Sequence, residues 1–186
     1  MTRLLGISGS LRTGSFNTAV LRAAVELAGE GVTLEAATLH GIPLYDGDVE
    51  LRDGLPAAVV ALKEKIVASD GVLLVTPEYN NGVPGVFKNA IDWLSRPSSD
   101  IARVFGDRPF AVIGASPGSF GTLLSQTAWL PILRTLGTRQ WSGGRLLVSH
   151  ASQLIDAEGR LADPATRERL AVFVRDFARF AADSAV

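Results

Sequence analysis

The 186-residue sequence contains no cysteine. Disulfide frameworks, thiolate metal sites, cysteine-ligated iron–sulfur clusters and a cysteine nucleophile are therefore excluded. Histidine occurs only at His40 and His150, too few for a histidine-rich metal site. Neither charge sign is in excess: 18 Lys and Arg against 19 Asp and Glu leave a formal net charge of −1. With no basic surplus to neutralise phosphates along a duplex, nucleic acid is not an expected partner. No stretch reaches the roughly 18 apolar residues of a membrane-spanning helix, so no membrane partner is expected. The opening residues run straight into Leu4-Leu5-Gly6-Ile7, without a separate apolar stretch and cleavage site. A soluble, cytoplasmic protein is the expectation. What is present points to a packed core: 47% of residues are hydrophobic and 20% charged, unlike a disordered chain. The length suits about one domain at roughly 150 residues each. With no repeat, low-complexity tract or linker, a single domain over residues 1–186 is expected.

Short apolar runs alternate with helical patterns. Leu4 to Ser8 reads as a buried strand, and Val20, Leu21, Ala24, Val25 and Ala28 have helix spacing within Phe16–Gly29. Val32 to Leu39 alternates in the manner of an edge strand, with Thr33 and Glu35 exposed. His40 to Leu55 has no clear period and reads as a loop, and Pro56 to Ser69 as a helix. Gly71 to Thr76 is continuously apolar, as a central parallel strand covered on both faces should be. Helix Pro84–Ser95, strand Pro109–Ala115 and helix Phe120–Leu136 follow, the last with a kink or break expected at Pro131. A fifth strand is expected over Arg139–Ser149, with Gly143-Gly144 in its middle. The final helix, Pro164–Ala182, has Asp163 as N-cap and proline in its first position. Five strand–helix alternations predict an α/β fold, a doubly wound five-stranded parallel sheet. Ligands of such sheets bind beyond the carboxyl ends of the strands.

That rule directs attention to three loops. The first, Gly9-Ser10-Leu11-Arg12-Thr13-Gly14-Ser15-Phe16-Asn17, follows a strand and opens a helix. Free amides and the positive helix end make an anion site, and Ser10, Ser15, Asn17 and Arg12 add donors. It is neither a Walker loop nor the dinucleotide fingerprint, because the spacing of Gly6, Gly9 and Gly14 differs. A glycine–serine turn with an ordinary helix cap would look the same in isolation. The second loop, Thr76-Pro77-Glu78-Tyr79-Asn80-Asn81-Gly82-Val83-Pro84-Gly85, is stiffened by two prolines. It could present backbone groups to a flat heterocycle, or simply be a proline–glycine connection. The third, Ala115-Ser116-Pro117-Gly118-Ser119-Phe120-Gly121, allows close backbone approach, and alone reads as a flexible turn. All three fall on one predicted edge.

Two of these segments carry a resemblance. Gly9-Ser-Leu-Arg-Thr-Gly-Ser-Phe-Asn17 and Thr76-Pro-Glu-Tyr-Asn80, followed by Pro84-Gly-Val-Phe-Lys-Asn-Ala-Ile-Asp-Trp93, resemble the NAD(P)H-dependent FMN reductase family, which includes bacterial quinone, chromate and azo-dye reductases. Pro43-Leu44-Tyr45-Asp46 and Ala68-Ser69-Asp70-Gly71 fall where that family has similar segments. The resemblance implies a flavodoxin-like fold with strand order 2-1-3-4-5, non-covalent FMN, NADPH or NADH as hydride donor, and a homodimer or homotetramer. It implies that Ser10, Arg12, Ser15, Phe16 and Asn17 hold the phosphate end. Pro77, Glu78, Tyr79 and Asn80 would hold the isoalloxazine edge, largely through backbone groups, and Ser116 would complete the pocket. Asn81, where some relatives have an aromatic residue, and Thr122, where some have glycine, would border the substrate opening.

The expected activity is an FMN-dependent oxidoreductase passing two electrons to a quinone-like or other small acceptor, with no catalytic side chain and no metal. The alternatives are a flavodoxin-type electron carrier, which the near-neutral charge disfavours, and an FMN-binding regulator without turnover. Glu78 is expected to position or contact a neighbouring subunit, and Trp93 to pack in the core or an interface. Trp129 and Trp141 are open between interface and acceptor site. Phe87, Ile91, Trp93, Leu94, Leu124, Trp129 and Ile132 look like more apolar surface than one sheet face hides, and so suggest an interface.

Overall fold

A computed structural model describes residues 1–183. The elements in chain order are β1 (Thr2–Ser8), α1 (Phe16–Glu26), β2 (Val32–Ala37), α2 (Gly47–Asp53), α3 (Ala57–Val67), β3 (Gly71–Val75) and α4 (Gly85–Leu94), then α5 (Ile101–Val104) after a 3-10 turn, β4 (Pro109–Ala115), α6 (Leu123–Thr135), β5 (Arg139–Gln140), β6 (Leu147–Val148), α7 (Ala151–Leu154) and α8 (Pro164–Ala182). The strands order β2-β1-β3-β4-β5, all parallel, with β6 also paired to β4. This is the flavodoxin-like arrangement expected.

Alternation along the strands divides the core into two layers. Leu4, Leu73, Val75 and Ile113 face Val20 and Leu21 of α1 and Val174 and Phe177 of α8. Leu5, Ile7, Val72, Leu74 and Phe110 face Val59 and Ile66 of α3, Phe87 and Trp93 of α4, and Trp129 of α6. All five residues of β3 are buried, whereas β2 lies at the edge with Thr33, Glu35 and Ala36 outside the core. Asp163 caps α8 by accepting the Thr166 N–H, and Pro164 opens the helix, as expected.

Four expectations need correction. The stretch read as a loop over His40–Leu55 contains α2, a seven-residue helix with no buried residue, capped by Asp46. Its apolar side chains do not enter the core, so no hydrophobic period marks it. It is pinned instead by polar contacts: Trp93 and Asn89 donate to the Pro43 carbonyl, and the Glu50 carboxylate pairs with Arg96 at 2.9 Å. The fifth strand is two short strands, β5 and β6, parted around Gly143-Gly144, each pairing with a different stretch of β4. α6 starts at Leu123 rather than Phe120 and runs through the exposed Pro131 without a break. The apolar surplus on α4 and α6 is mostly core: Phe87, Ile91, Trp93, Leu94 and Trp129 are all at most 1% exposed within one chain. Only Leu124, 45% exposed, is open to solvent from that set, with Ile132 half-buried.

Away from the loops, an ionic cluster ties α3 to the segment after α4. Lys63 is 1% exposed, and its ammonium pairs with Asp100 at 2.7 Å while donating to the Arg96 carbonyl. Arg103 bonds both Asp100 and Glu64. Hydrogen bonds from Arg103 and then Lys63 hold the Asp100 carboxyl well below the usual carboxylate range. Among the described residues, no helix is long and apolar enough to cross a membrane.

Candidate functional site

Parallel register sets the site. Ser8 pairs with Val75, and Val75 with Ile113, so β1 and β3 end level and β4 runs two residues further, to Ala115, at the same edge. The three loops leave from that edge together. Gly9 shows how tightly they meet: a Cβ there would fall 2.1 Å from Phe87 and 2.9 Å from Pro77. Only glycine lets the first loop pass this close to the second and to α4.

In the first loop, Ser15 caps α1, its hydroxyl accepting the Thr18 N–H at 3.3 Å. Ser10, buried, accepts the Arg12 N–H at 3.3 Å. Each hydroxyl accepts within the loop, which leaves its own O–H to donate. The N–H groups of Phe16 and Asn17 belong to the first turn and lack intrahelical acceptors. Arg12 is exposed; its guanidinium lies 6.0 Å from the Phe16 ring centroid and donates to the Gly14 carbonyl at 3.2 Å. A Cβ at Gly14 would meet nothing within 4 Å, so the space beside that turn is open.

Asn17 differs from its expected part. Its buried side-chain amide donates to the Ala115 carbonyl at 2.9 Å and accepts the Ala115 N–H at 2.8 Å. Both the oxygen and the nitrogen of the amide bond the end of β4, which turns this side chain away from the phosphate role and leaves the Asn17 backbone N–H for an anion. The side chain instead joins the first loop to the third.

The second loop is a small hairpin. Tyr79 and Gly82 exchange backbone hydrogen bonds at 3.2 and 3.1 Å around Asn80 and Asn81. Both asparagines have positive φ, 50° and 61°, the backbone of a type I′ turn, for which asparagine is well suited. Asn81 therefore has a conformational role at its position. Pro77 is buried, Glu78 half-buried, and Tyr79 45% exposed at the rim.

Glu78, expected to position or to contact a neighbouring subunit, has a definite place here within the chain. Its Oε2 accepts the N–H groups of Leu124 at 2.8 Å and Ser125 at 2.9 Å. It thus closes the first turn of α6, whose own N-cap, Thr122, makes no side-chain cap bond. Around this contact, the Thr76 hydroxyl lies 3.0 Å from the Ser125 hydroxyl and accepts the Trp129 indole N–H at 3.1 Å. Trp129 is accordingly a core anchor, and neither an interface nor an acceptor-site residue. No sequence signal links residues 46 positions apart; only the parallel register brings them together.

The third loop is held by β6 and its exit. Ser116 N–H donates to the Val148 carbonyl and His150 N–H to Gly118. The Ser116 hydroxyl donates to the Gly121 carbonyl, so toward a ligand it can only accept. Thr122 is fully buried, its hydroxyl accepting from Gln126, and does not border an opening. Phe120, 77% exposed, stands free on this edge. Trp141 packs edge-on against Phe173, with ring centroids 4.6 Å apart, on the α8 side of the sheet. Among the described residues, no group of three or more His, Cys, Asp or Glu could hold a metal ion.

The donor set fits a phosphorylated flavin at its anionic end: a helix start with two free amides, two hydroxyls and one cation matches a terminal phosphate. The comparisons agree with this chemistry. Residues 2–153 match the family model described as NADPH-dependent FMN reductase. The chain is 44% identical over 166 residues to an NAD(P)H-dependent FMN reductase of Pseudomonas aeruginosa, spanning 89% of this chain and 88% of that one. It is 35% identical over 180 residues to a 2-hydroxy-1,4-benzoquinone reductase of a Burkholderia species, spanning 97% and 96% of the two chains. Among solved structures it superimposes with a TM-score of 0.85 and 34% identity on the flavoenzyme NAD(P)H:(acceptor) oxidoreductase FerB of Paracoccus denitrificans, covering 98% of each chain. The chain belongs to the NADPH-dependent FMN reductase family.

Proposed function

We propose that this chain is a single-domain, FMN-dependent oxidoreductase, driven by NADPH or NADH and delivering two electrons to a quinone-type acceptor. The observation that carries the reading is the open α1 start, with Ser10, Ser15 and the lone cation Arg12, on the same sheet edge as the stiff second loop. FMN held there would supply the hydride-accepting and two-electron chemistry that links the nicotinamide to the acceptor. The chain's part is placement. Arg12, Ser10, Ser15 and the backbone N–H groups of Phe16 and Asn17 hold the phosphate. Backbone groups of Pro77, Glu78, Tyr79 and Asn80 meet the ring edge, with Ser116 closing the pocket as an acceptor. Exposed Tyr79 and Phe120 offer apolar, partly aromatic surface to a flat acceptor.

The same reading makes the protein a homodimer or homotetramer. Its structural support is the exposed set Phe120, Leu124 and Leu130 at and beyond the start of α6. The electron-carrier alternative is disfavoured by the net charge of −1, which gives little steering toward a protein partner. The deciding experiment is the visible spectrum of the protein purified with FMN, followed by anaerobic addition of NADPH. Bleaching of the flavin bands, and their return when a soluble quinone is added, is the expected result. A protein that binds no flavin, or whose flavin NADPH and NADH leave oxidised, would overturn the reading.

A further inference from the structure

Glu78 is the only acidic residue of the second loop, and its carboxylate reaches a helix start. Because α6 has no side-chain cap of its own, its first amides are satisfied from a different loop. The bond also holds Glu78. Two residues before it, Thr76 is tied to Ser125 and Trp129 of the same helix, and its N–H donates to the Ile113 carbonyl. Immediately after it, the Tyr79–Gly82 hairpin fixes the chain direction. Pro77, between the two ties, is wedged near Gly9 of the first loop. The backbone of residues 77–80 is therefore set at one end by α6, and Glu78 is the one side chain that carries this setting out to the loop.

We propose that Glu78 is a positioning residue for the flavin ring: by capping α6 it fixes the backbone of residues 77–80 at the distance from the first and third loops that the ring requires. This rests on the FMN reading above and assigns Glu78 no proton transfer. Its carboxylate has a second effect. By filling the α6 start it removes that helix terminus as a competing anion site, while the α1 start keeps its hydroxyls and its cation.

The test is flavin titration of apo wild type, Glu78→Gln, Glu78→Asp and Glu78→Ala, each with FMN and with riboflavin, which lacks the phosphate. Glutamine keeps an acceptor oxygen at the same reach, whereas aspartate keeps the charge but falls one methylene short. Glu78→Asp and Glu78→Ala should weaken FMN and riboflavin by the same factor, on the order of tenfold, while Glu78→Gln stays within about threefold of wild type. Bound-flavin absorption maxima should shift in the first two variants only. Amide exchange at Leu124 and Ser125 reports whether the cap is lost, and circular dichroism whether the fold is kept. If Glu78→Ala fails to fold, Glu78→Asp carries the measurement. Wild-type affinity for both flavins despite fast exchange at Leu124 and Ser125 would overturn the assignment. So would a loss confined to FMN, which would place Glu78 in phosphate binding. Wild-type protein that binds neither flavin would refute the FMN reading itself.

Discussion

Two helices begin on the same edge of the sheet, and their first turns are finished in opposite ways. α1 is closed by the neutral hydroxyl of Ser15, with Arg12 the cation beside it. α6 is closed by the carboxylate of Glu78, brought from another loop. Both ends carry the same partial positive charge, worth roughly 0.3–1 kcal/mol to an anion at a surface. One is satisfied from within the protein, and the other remains available. The lesson is that a helix start becomes a ligand site through what its neighbouring loops leave unsatisfied, rather than through the helix itself. Asn17 joins the two ends, since its amide binds the last residue of β4, from which the third loop and α6 follow.

That joint is where the contrast breaks most severely. Asn17→Ala would leave the Ala115 N–H and C=O buried without partners, at about 1–3 kcal/mol each. A loss of roughly 2–6 kcal/mol in denaturant unfolding is expected, with FMN affinity falling for want of an ordered third loop. Unchanged unfolding midpoint and slope would mean the tie is idle.

A control away from the site comes next. Asp100→Asn strips Lys63 of its carboxylate partner and should cost about 3 kcal/mol, the lower part of the range for a broken buried pair because Asp100 is itself partly exposed. FMN affinity should not change, so a stability loss of this size is separable from a binding loss. The pH dependence follows from the depressed carboxyl of Asp100. Its stabilisation is full above the unfolded-state value of about 3.9 and is lost as pH falls below that, toward the folded-state value. The gap between wild type and Asp100→Asn should therefore hold from neutral pH to about pH 5 and narrow on further acidification. A gap independent of pH would reject the ion pair as its source.

The sharpest effect on binding alone belongs to Arg12. Arg12→Ala should weaken FMN by roughly 10- to 150-fold, the value of a charge-assisted hydrogen bond of about 1.5–3 kcal/mol. Riboflavin affinity and the unfolding midpoint of the apo protein should stay put. Equal losses for FMN and riboflavin would erase the distinction between the two helix starts.

Sequence reasoning reached the central and edge strands, the terminal helix with its cap, and the three loops, because each rests on local pattern: apolar runs, alternation, Asp163-Pro164; the sheet order came with the family resemblance. It missed what lacks a pattern. α2 buries nothing, so periodicity passes over it, although its caps Asp46 and Gly54 were there to read. The apolar count on α4 and α6 could not show that Trp93 and Trp129 send their indole N–H groups inward, to Pro43 and Thr76. Nor could it show that Asn17 and Glu78, which look like ligands, spend their side chains on distant backbone. Such ties are set by register between segments, which no local window contains.

The split of the last strand bears on solubility. β5 and β6 are two residues each, and the chain leaves the sheet between them. That flank presents no continuous row of backbone donors and acceptors on which another chain could pair. At the opposite flank, the longer β2 carries Glu35, bonded at 2.6 Å to Lys65, a charged pair that an incoming strand would have to strip of water. Both borders thus discourage sheet-to-sheet zipping.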